Sequence, residues 1–150
     1  MAYTLFADEY FMNEALKEAR KAFDEDEVPI GAIVVCKDII IARTYNMTER
    51  LNDATAHAEM QAYSAAANYL GAKYLTGCTL YVTVEPCTMC AAAAYWTQIS
   101  RIVYGASDDK KGYSLLRGNL FHPKTTITKG ILEKECVTLM KKFFKSKRDY

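Results

Sequence analysis

The chain has 150 residues, of which 51% are hydrophobic and 25% are charged, and its formal net charge is +1. This length suits one ordinary domain over residues 1–150, and this composition excludes a disordered or fibrous protein. The nearly neutral charge argues against a protein that binds nucleic acid through a uniformly basic surface.

The predicted elements follow from helical periodicity and from short β-branched runs. In chain order, we expect a helix over 11–23, an antiparallel hairpin over 30–36 and 39–42, a polar loop over 46–53, a helix from an N-cap at Thr55 to Gly71, a strand over 79–84, a helix from Pro86 to about Gln98, a strand over 101–105, a loop over 106–124, a short strand over 125–128 and a helix over 131–145. Strands that alternate with helices after one hairpin predict an α/β fold, a three-layer α/β/α sandwich around a mixed five-stranded sheet.

The sequence gives no sign of export or of a membrane span. The longest apolar runs, such as 39–42 and 90–96, are far shorter than the roughly 20 residues that cross a bilayer. Residues 1–9 carry acids and lack the basic and apolar segments of a secretory signal. The five cysteines are an odd set, which does not suggest a disulfide framework. We therefore expect a cytoplasmic protein with free thiols and no membrane contact.

The charges are unevenly distributed along the chain. Residues 8–27 contain eight acids and three bases, whereas residues 141–150 contain five bases and one acid. A basic tail can contact phosphates, but it is equally typical of the solvated end of a C-terminal helix, where cations suit the helix dipole. Charge alone leaves both interpretations open.

Two short motifs carry the residues that suggest chemistry. His57 and Glu59 lie in Thr-Ala-His-Ala-Glu at the start of the second predicted helix, and Cys87 and Cys90 lie in Pro-Cys-Thr-Met-Cys at the start of the third. Cysteines three residues apart share one helix face, and a helix N-terminus favours the thiolate. Because Cα–Cβ bonds tilt toward the N-terminus, a helix pointing at the site could direct both His57 and Glu59 to it. We predict that two helix starts meet and supply three metal ligands and one carboxylate.

This donor set suits a catalytic Zn²⁺ ion. Three protein ligands are typical of catalytic zinc, which keeps water in its fourth position and lowers the pKa of that water to about 7. A carboxylate that is not a ligand can accept the proton from this water. Glu59 is our candidate for that role, and Glu85 is the alternative.

The Cys-x-x-Cys pair is also typical of two other kinds of site. A Cys-x-x-Cys pair also occurs in redox motifs and structural zinc sites. A structural site needs a fourth Cys or His, and a redox pair would leave the His-x-Glu motif unexplained. Cys36, Cys78 and Cys136 lack motif spacing and are expected to be small core residues. His122, which precedes Pro123, is more typical of a turn than of a ligand.

The pairing of His-x-Glu with Pro-Cys-x-x-Cys is the signature of zinc-dependent nucleobase deaminases. The chain resembles the bacterial tRNA adenosine deaminases of the cytidine/deoxycytidylate deaminase superfamily along nearly its whole length. Matching stretches are 28–32, 55–59, 80–90, 101–106, 130–132 and 143–148. The resemblance implies a cytidine-deaminase-like fold, a homodimer, and hydrolytic deamination of the wobble adenosine of a tRNA anticodon stem-loop to inosine.

The resemblance also implies a role for individual residues. It places the zinc ligands at His57, Cys87 and Cys90, and the proton shuttle at Glu59. It places a hydrogen bond to the flipped base at Asn46. Contacts with the RNA are implied for three further residues, Asp108, Phe143 and Phe144.

Two other functions remain in view. The Tyr95-Trp96 pair is similar to that of guanine deaminases, so the alternative is a free-base deaminase that acts on guanine or cytosine with the same zinc site. Ala54 and Ala92 also stand where a proline and a glycine are usual in the tRNA enzymes. A third possibility is a non-catalytic, zinc-stabilised module that binds RNA.

Overall fold

The computed structural model describes residues 5–148 and, from Ala7 onward, their side chains. Within this range the elements are α1 (Leu5–Asp24), β1 (Gly31–Cys36), β2 (Ile39–Tyr45), α2 (Ala58–Leu70), β3 (Cys78–Val84), α3 (Thr88–Thr97), β4 (Arg101–Ala106), a 3₁₀ turn (Tyr113–Leu115), β5 (Thr126–Lys129) and α4 (Glu133–Arg148). The predicted order of helices and strands is confirmed. The 3₁₀ turn in the long loop after β4 was not predicted.

The strands form one mixed five-stranded sheet in the order β2-β1-β3-β4-β5. β1 is antiparallel to both of its neighbours, whereas β3, β4 and β5 are parallel. Alternate residues of β1 and β3 enter opposite cores: Val34 and Leu80 pack under α2 and α3, whereas Ile33 and Tyr81 pack under α1 and α4. The three-layer α/β/α sandwich is therefore confirmed. No described helix is both long and apolar enough to cross a membrane.

The β1–β2 hairpin and the packing of α1 both depend on backbone conformation. Lys37 and Asp38 form the two-residue turn with positive φ angles of 51° and 62°, as a type I′ turn requires. At Gly31 an added Cβ would lie 2.1 Å from the Ala15 carbonyl oxygen. Only glycine therefore lets α1 lie directly against the start of β1.

The starts of α2 and α3 differ from the prediction. Thr55 does not cap α2, because its amide and hydroxyl both donate to Asp53 Oδ1, at 2.8 and 2.7 Å. α2 begins at Ala58 with His57 as N-cap, and α3 begins at Thr88 with Cys87 as N-cap. Pro86 thus precedes α3 and is not part of its first turn. At the C-terminus, α4 runs over 133–148 and not 131–145.

A buried ion pair links the first helix to the parallel half of the sheet. Arg101 on β4 donates two hydrogen bonds of 2.7 Å to the Asp8 carboxylate on α1. Tyr81 donates to the same carboxylate at 2.8 Å, and Arg101 also donates to Thr128 on β5. The pair is fixed on both sides, so its geometry satisfies charges that would otherwise be costly to bury.

Candidate metal centre and active site

His57, Cys87 and Cys90 come together at the facing starts of α2 and α3. The Nδ1 atom of His57 lies 3.5 Å from the Sγ atom of each cysteine. All three ligand atoms lie within 4.8 Å of one another. Among the described residues, no other His, Cys, Asp or Glu joins a group that could hold an ion. The predicted three-residue site is therefore present as a geometric unit.

The spacing of these atoms fits zinc. A tetrahedral zinc ion with bonds of about 2.0–2.3 Å would separate its nitrogen and sulfur ligands by about 3.5 Å. His57 also has a backbone hydrogen bond with Ala54, of the kind that fixes the ring orientation of a metal-binding histidine. Both the donor set and its geometry suit a zinc ion held by three protein ligands.

Neighbouring groups favour the metal-binding form of Cys87. A hydrogen bond from the Cys90 thiol, supported by His57, lowers the pKa of Cys87 to about 4. The hydrogen bond between His57 and Cys87 raises the pKa of the His57 imidazole. Cys87 is thus a thiolate at neutral pH, the form of cysteine that binds metals.

Glu59 lies beside this cluster in the first turn of α2. Its side chain is 3% exposed and forms a side-chain hydrogen bond with Cys90. Burial raises the pKa of Glu59 to about 7, so its carboxyl group lies close to proton exchange at neutral pH. Tyr63, one turn later, donates to the Cys90 carbonyl at 3.0 Å and joins the two helices.

Glu85, the alternative proton shuttle, has other partners. Its carboxylate accepts hydrogen bonds from the amides of Asp108 and Ser114, at 3.1 and 3.0 Å, and from the Ser114 hydroxyl at 2.7 Å. At Gly112 an added Cβ would lie 2.2 Å from Glu85 Oε2, so this loop closes directly over the carboxylate. Glu85 therefore holds the 107–114 loop against the start of α3.

Asn46 begins the loop between β2 and α2. It is 6% exposed, and its backbone N–H donates to the Ile30 carbonyl at 3.0 Å. The next amide, that of Met47, donates to the Ala56 carbonyl at 3.0 Å. Asn46, the residue predicted to bind the base, is therefore next to a residue that is hydrogen-bonded to Ala56, and Ala56 directly precedes His57.

The predicted RNA contacts lie on two separate surfaces. Asp108 borders a cavity of about 520 Å³ beside Glu85, and its Oδ1 accepts the amides of Lys110 and Lys111, both at 3.0 Å. Phe143 is 6% exposed and packs on Phe23, whereas Phe144 is 41% exposed. Of the two phenylalanines, Phe144 presents its ring to solvent.

Three contributors to the site were missed in the sequence. Tyr63 stands four residues after Glu59, so helical periodicity could have placed it on the same face. Gln61 donates to the carbonyl of Tyr45, 16 residues earlier, and to the carbonyl of Ala56. No local pattern marks these hydrogen bonds. Gly112 lies in a loop whose path could not be predicted.

Comparison with known proteins places this geometry in a family. Residues 6–106 match the family described as the cytidine and deoxycytidylate deaminase zinc-binding region. The chain belongs to this family. Zinc is accordingly its cofactor, and the protein is a hydrolytic enzyme. The tRNA-specific adenosine deaminase of Bacillus subtilis is 43% identical over 146 residues, which cover 94% of this chain and 91% of that protein.

Solved structures show the same relationship in three dimensions. One, from a study of A-to-I editing by tRNA:A34 deaminases at the wobble position of transfer RNA, has 44% identity and a TM-score of 0.81, and covers 87% of this chain and 98% of that one. The guanine deaminase of Nitrosomonas europaea has 25% identity and a TM-score of 0.78, and covers 90% of this chain and 83% of that one. The cytidine-deaminase-like fold is therefore confirmed, and the more similar of these two structures comes from the tRNA branch of the family.

Proposed function

We propose that this protein hydrolyses the wobble adenosine of a tRNA anticodon to inosine. The observation that carries the proposal is the metal centre of His57, Cys87 and Cys90 with Glu59 beside it, in a chain that matches tRNA-specific adenosine deaminases over nearly its full length. The reaction consumes one water and releases ammonia. We place it in the cytoplasm, where the free cysteines remain reduced.

In this proposal the chain's own residues bind, orient and move protons. His57, Cys87 and Cys90 would hold the zinc, which would supply a water whose pKa falls to about 7. Glu59 would accept one proton of that water and give it to the ring nitrogen beside the amine-bearing carbon. As the water oxygen bonds to that carbon, Glu59 would carry the remaining proton of the oxygen to the amine, and the C–N bond would break to release ammonia. Asn46 hydrogen-bonds the base. Unstacking the base costs a few kcal/mol, which favours a loop over a duplex as substrate.

The C-terminal part of α4 is the proposed contact for tRNA phosphates. Its exposed basic residues are Lys141, Lys142, Lys145, Lys147 and Arg148, whereas Asp149 and Tyr150 lie outside the described residues. Lys147 pairs with Asp26, which brings this end of the helix next to the loop after α1. A phosphate backbone along α4 would exchange such exposed pairs at little cost. Asp108 and the exposed ring of Phe144 complete the proposed RNA surface.

We further propose that the protein is a homodimer, formed through α3. The outer face of this helix exposes Ala92, Tyr95 and Trp96, the last with 75% of its surface accessible. Leu115 and Leu116 are each more than half exposed. They follow Tyr113, whose backbone amide donates to the carbonyl of Pro86 just before α3. Exposed apolar side chains grouped on one helix and on the turn next to its start are typical of a protein interface.

The deciding experiment compares substrates side by side. We expect the zinc-loaded protein to convert adenosine 34 of a transcribed tRNA to inosine, read by sequencing of the cDNA. A tRNA with guanosine at that position is the matched control. Ammonia release from free guanine or cytosine, with no conversion of the tRNA, would select the free-base alternative instead.

The feature that suggested the free-base alternative lies away from the site. Tyr95 and Trp96 pack edge to face, with ring centroids 5.5 Å apart, on the exposed side of α3. Cys90, by contrast, lies on the buried side of the same helix. The aromatic pair therefore supports the interface and not a base pocket within this chain.

A further inference from the structure

Glu27 is a fully buried carboxylate that belongs to no part of the metal centre. It follows α1, is 1% exposed, and ranks among the largest side chains that are completely inside the protein. Its Oε1 accepts the Glu49 amide at 3.0 Å, and its Oε2 accepts the Arg50 amide at 2.7 Å. Burying an ionised carboxylate is costly unless it receives such hydrogen bonds. Glu27 and the turn at 48–51 therefore depend on each other.

The loop that Glu27 holds connects two functional residues. It runs over 46–53, from Asn46 at the end of β2 toward His57 at the start of α2. Its first residues are tied to Ile30 and Ala56 by backbone hydrogen bonds. Its far turn projects from these ties and lies against Glu27. Backbone hydrogen bonds within the loop, from Leu51 to Met47 and from Asp53 to Thr48, close the turn on itself. The Glu27 carboxylate is the buried side chain that joins this closed turn to the segment after α1.

A second contact with the same turn is weaker. Arg50 forms an ion pair with Glu25 at 3.2 Å, but the two side chains are 59% and 37% exposed. Exposed ion pairs contribute little because water screens them and both side chains lose freedom. The Glu27 hydrogen bonds are part-buried and end on a carboxylate that is itself 1% exposed, so water screens them less than it screens the ion pair.

We propose that Glu27 is a positioning residue for substrate recognition. It acts through the 46–53 loop, which begins at Asn46 and whose turn donates its anchoring hydrogen bonds to Glu27. The link to recognition rests on the proposed function, because it uses the proposed contact between Asn46 and the base. The anchoring of the loop does not depend on that function.

The test replaces Glu27 by glutamine in the full-length, zinc-loaded protein. In Glu27→Gln the side chain keeps one oxygen, which can still accept one of the two backbone N–H groups of Glu49 and Arg50. Its NH₂ group faces the other backbone N–H, and two donors cannot form a hydrogen bond. We expect amide exchange in the 46–53 peptide, followed by mass spectrometry without substrate, to accelerate about tenfold. We expect KM for the tRNA to rise about fivefold or more, with kcat near wild type and one zinc retained per chain.

Glu18→Gln is the matched control. Glu18 is also buried, at 3% exposed, and lies on α1, but it pairs with Lys21 and Arg43 away from the loop. We expect this variant to leave both exchange of the 46–53 peptide and KM unchanged. Equal effects of the two variants would overturn the proposal, because they would reflect a general loss of stability.

The exchange experiment separates this inference from the proposed function. Wild-type exchange in Glu27→Gln would overturn the anchor whether or not tRNA is a substrate. Faster exchange with unchanged KM would overturn the link to recognition. Failure of the wild-type protein to form inosine would instead count against the proposed function, while the exchange comparison would still decide whether Glu27 holds the loop.

Discussion

Two glutamates near the metal centre are almost equally buried but differ in their partners. Glu85, at 5% exposed, accepts three hydrogen bonds from the 107–114 loop, and these bonds occupy both of its carboxylate oxygens. Glu59, at 3% exposed, faces the thiol of Cys90, and burial brings its pKa to about 7. Of the two, Glu59 has a carboxyl group beside the metal that can exchange a proton.

Replacing Glu59 by glutamine tests this assignment. Glutamine keeps the shape of the side chain but cannot carry a proton between water and base. We expect kcat of Glu59→Gln to fall by about 10²–10⁴-fold or more, while zinc content and tRNA binding stay near wild type. Steady-state kinetics with metal analysis checks both. Substantial turnover by this variant would show that another group moves the proton. A wild-type protein that binds tRNA without turnover, with binding unchanged in Glu59→Gln, would instead favour the zinc-stabilised RNA-binding interpretation.

At the scale of the elements, the metal site is made of two helix starts. His57 and Cys87 are both N-caps with extended backbone, and neither uses its side chain to cap its own helix. Each side chain is therefore free to point forward to the ion. Cys90 completes the site from the first turn of α3.

The sequence predicts this arrangement in part. Motif spacing predicts the three ligands and Glu59. Periodicity, β-branched runs and terminal residues such as Gly71 and Pro86 predict the four α-helices and five strands of the described residues, but not the 3₁₀ turn. The sequence does not predict that Thr55 bonds back to Asp53, because Thr55 has the chemistry of an N-cap in either position. Nor does local pattern reveal pairs such as Asp8–Arg101, which are 93 residues apart. Those contacts depend on how the layers pack.

The Asp8–Arg101 pair predicts a large effect on stability. Asp8→Ala would remove the carboxylate that accepts two hydrogen bonds from the buried Arg101 guanidinium, so we expect the free energy of unfolding to fall by about 3–5 kcal/mol. Urea denaturation followed by circular dichroism measures this change. The control is Lys17→Ala, which removes a partner that is 61% exposed and should cost about 1 kcal/mol or less. Similar losses in the two variants would contradict a structural role for the buried pair.

At the scale of the whole molecule, the three layers place different functions on different faces. The metal centre lies at the starts of α2 and α3, beyond the carboxyl ends of β2 and β3. The C-terminal part of α4 carries the basic surface proposed for tRNA, and the outer face of α3 carries the exposed aromatic residues. One sheet contains all five described strands. That residues 1–150 form a single domain stays a prediction.

The proposed homodimer can be tested at the exposed aromatic residues of α3. A charge at the centre of a packed interface cannot be solvated, so we expect Trp96→Glu to convert a dimer to a monomer. Sedimentation velocity of the wild-type and variant proteins measures this. Tyr10→Glu is the control, because Tyr10 is 55% exposed but lies on α1 in the opposite layer. A wild-type protein that sediments as a monomer at micromolar concentration would contradict the proposed homodimer.

X-ray absorption at the zinc edge, combined with metal analysis, tests the central claim most directly. We predict one zinc per chain, with two sulfur ligands at about 2.3 Å, one imidazole nitrogen at about 2.0 Å and one oxygen from solvent. That oxygen marks the position where the reacting water binds. A protein purified without zinc, or an ion with four protein ligands, would contradict the account of this site as a hydrolytic centre.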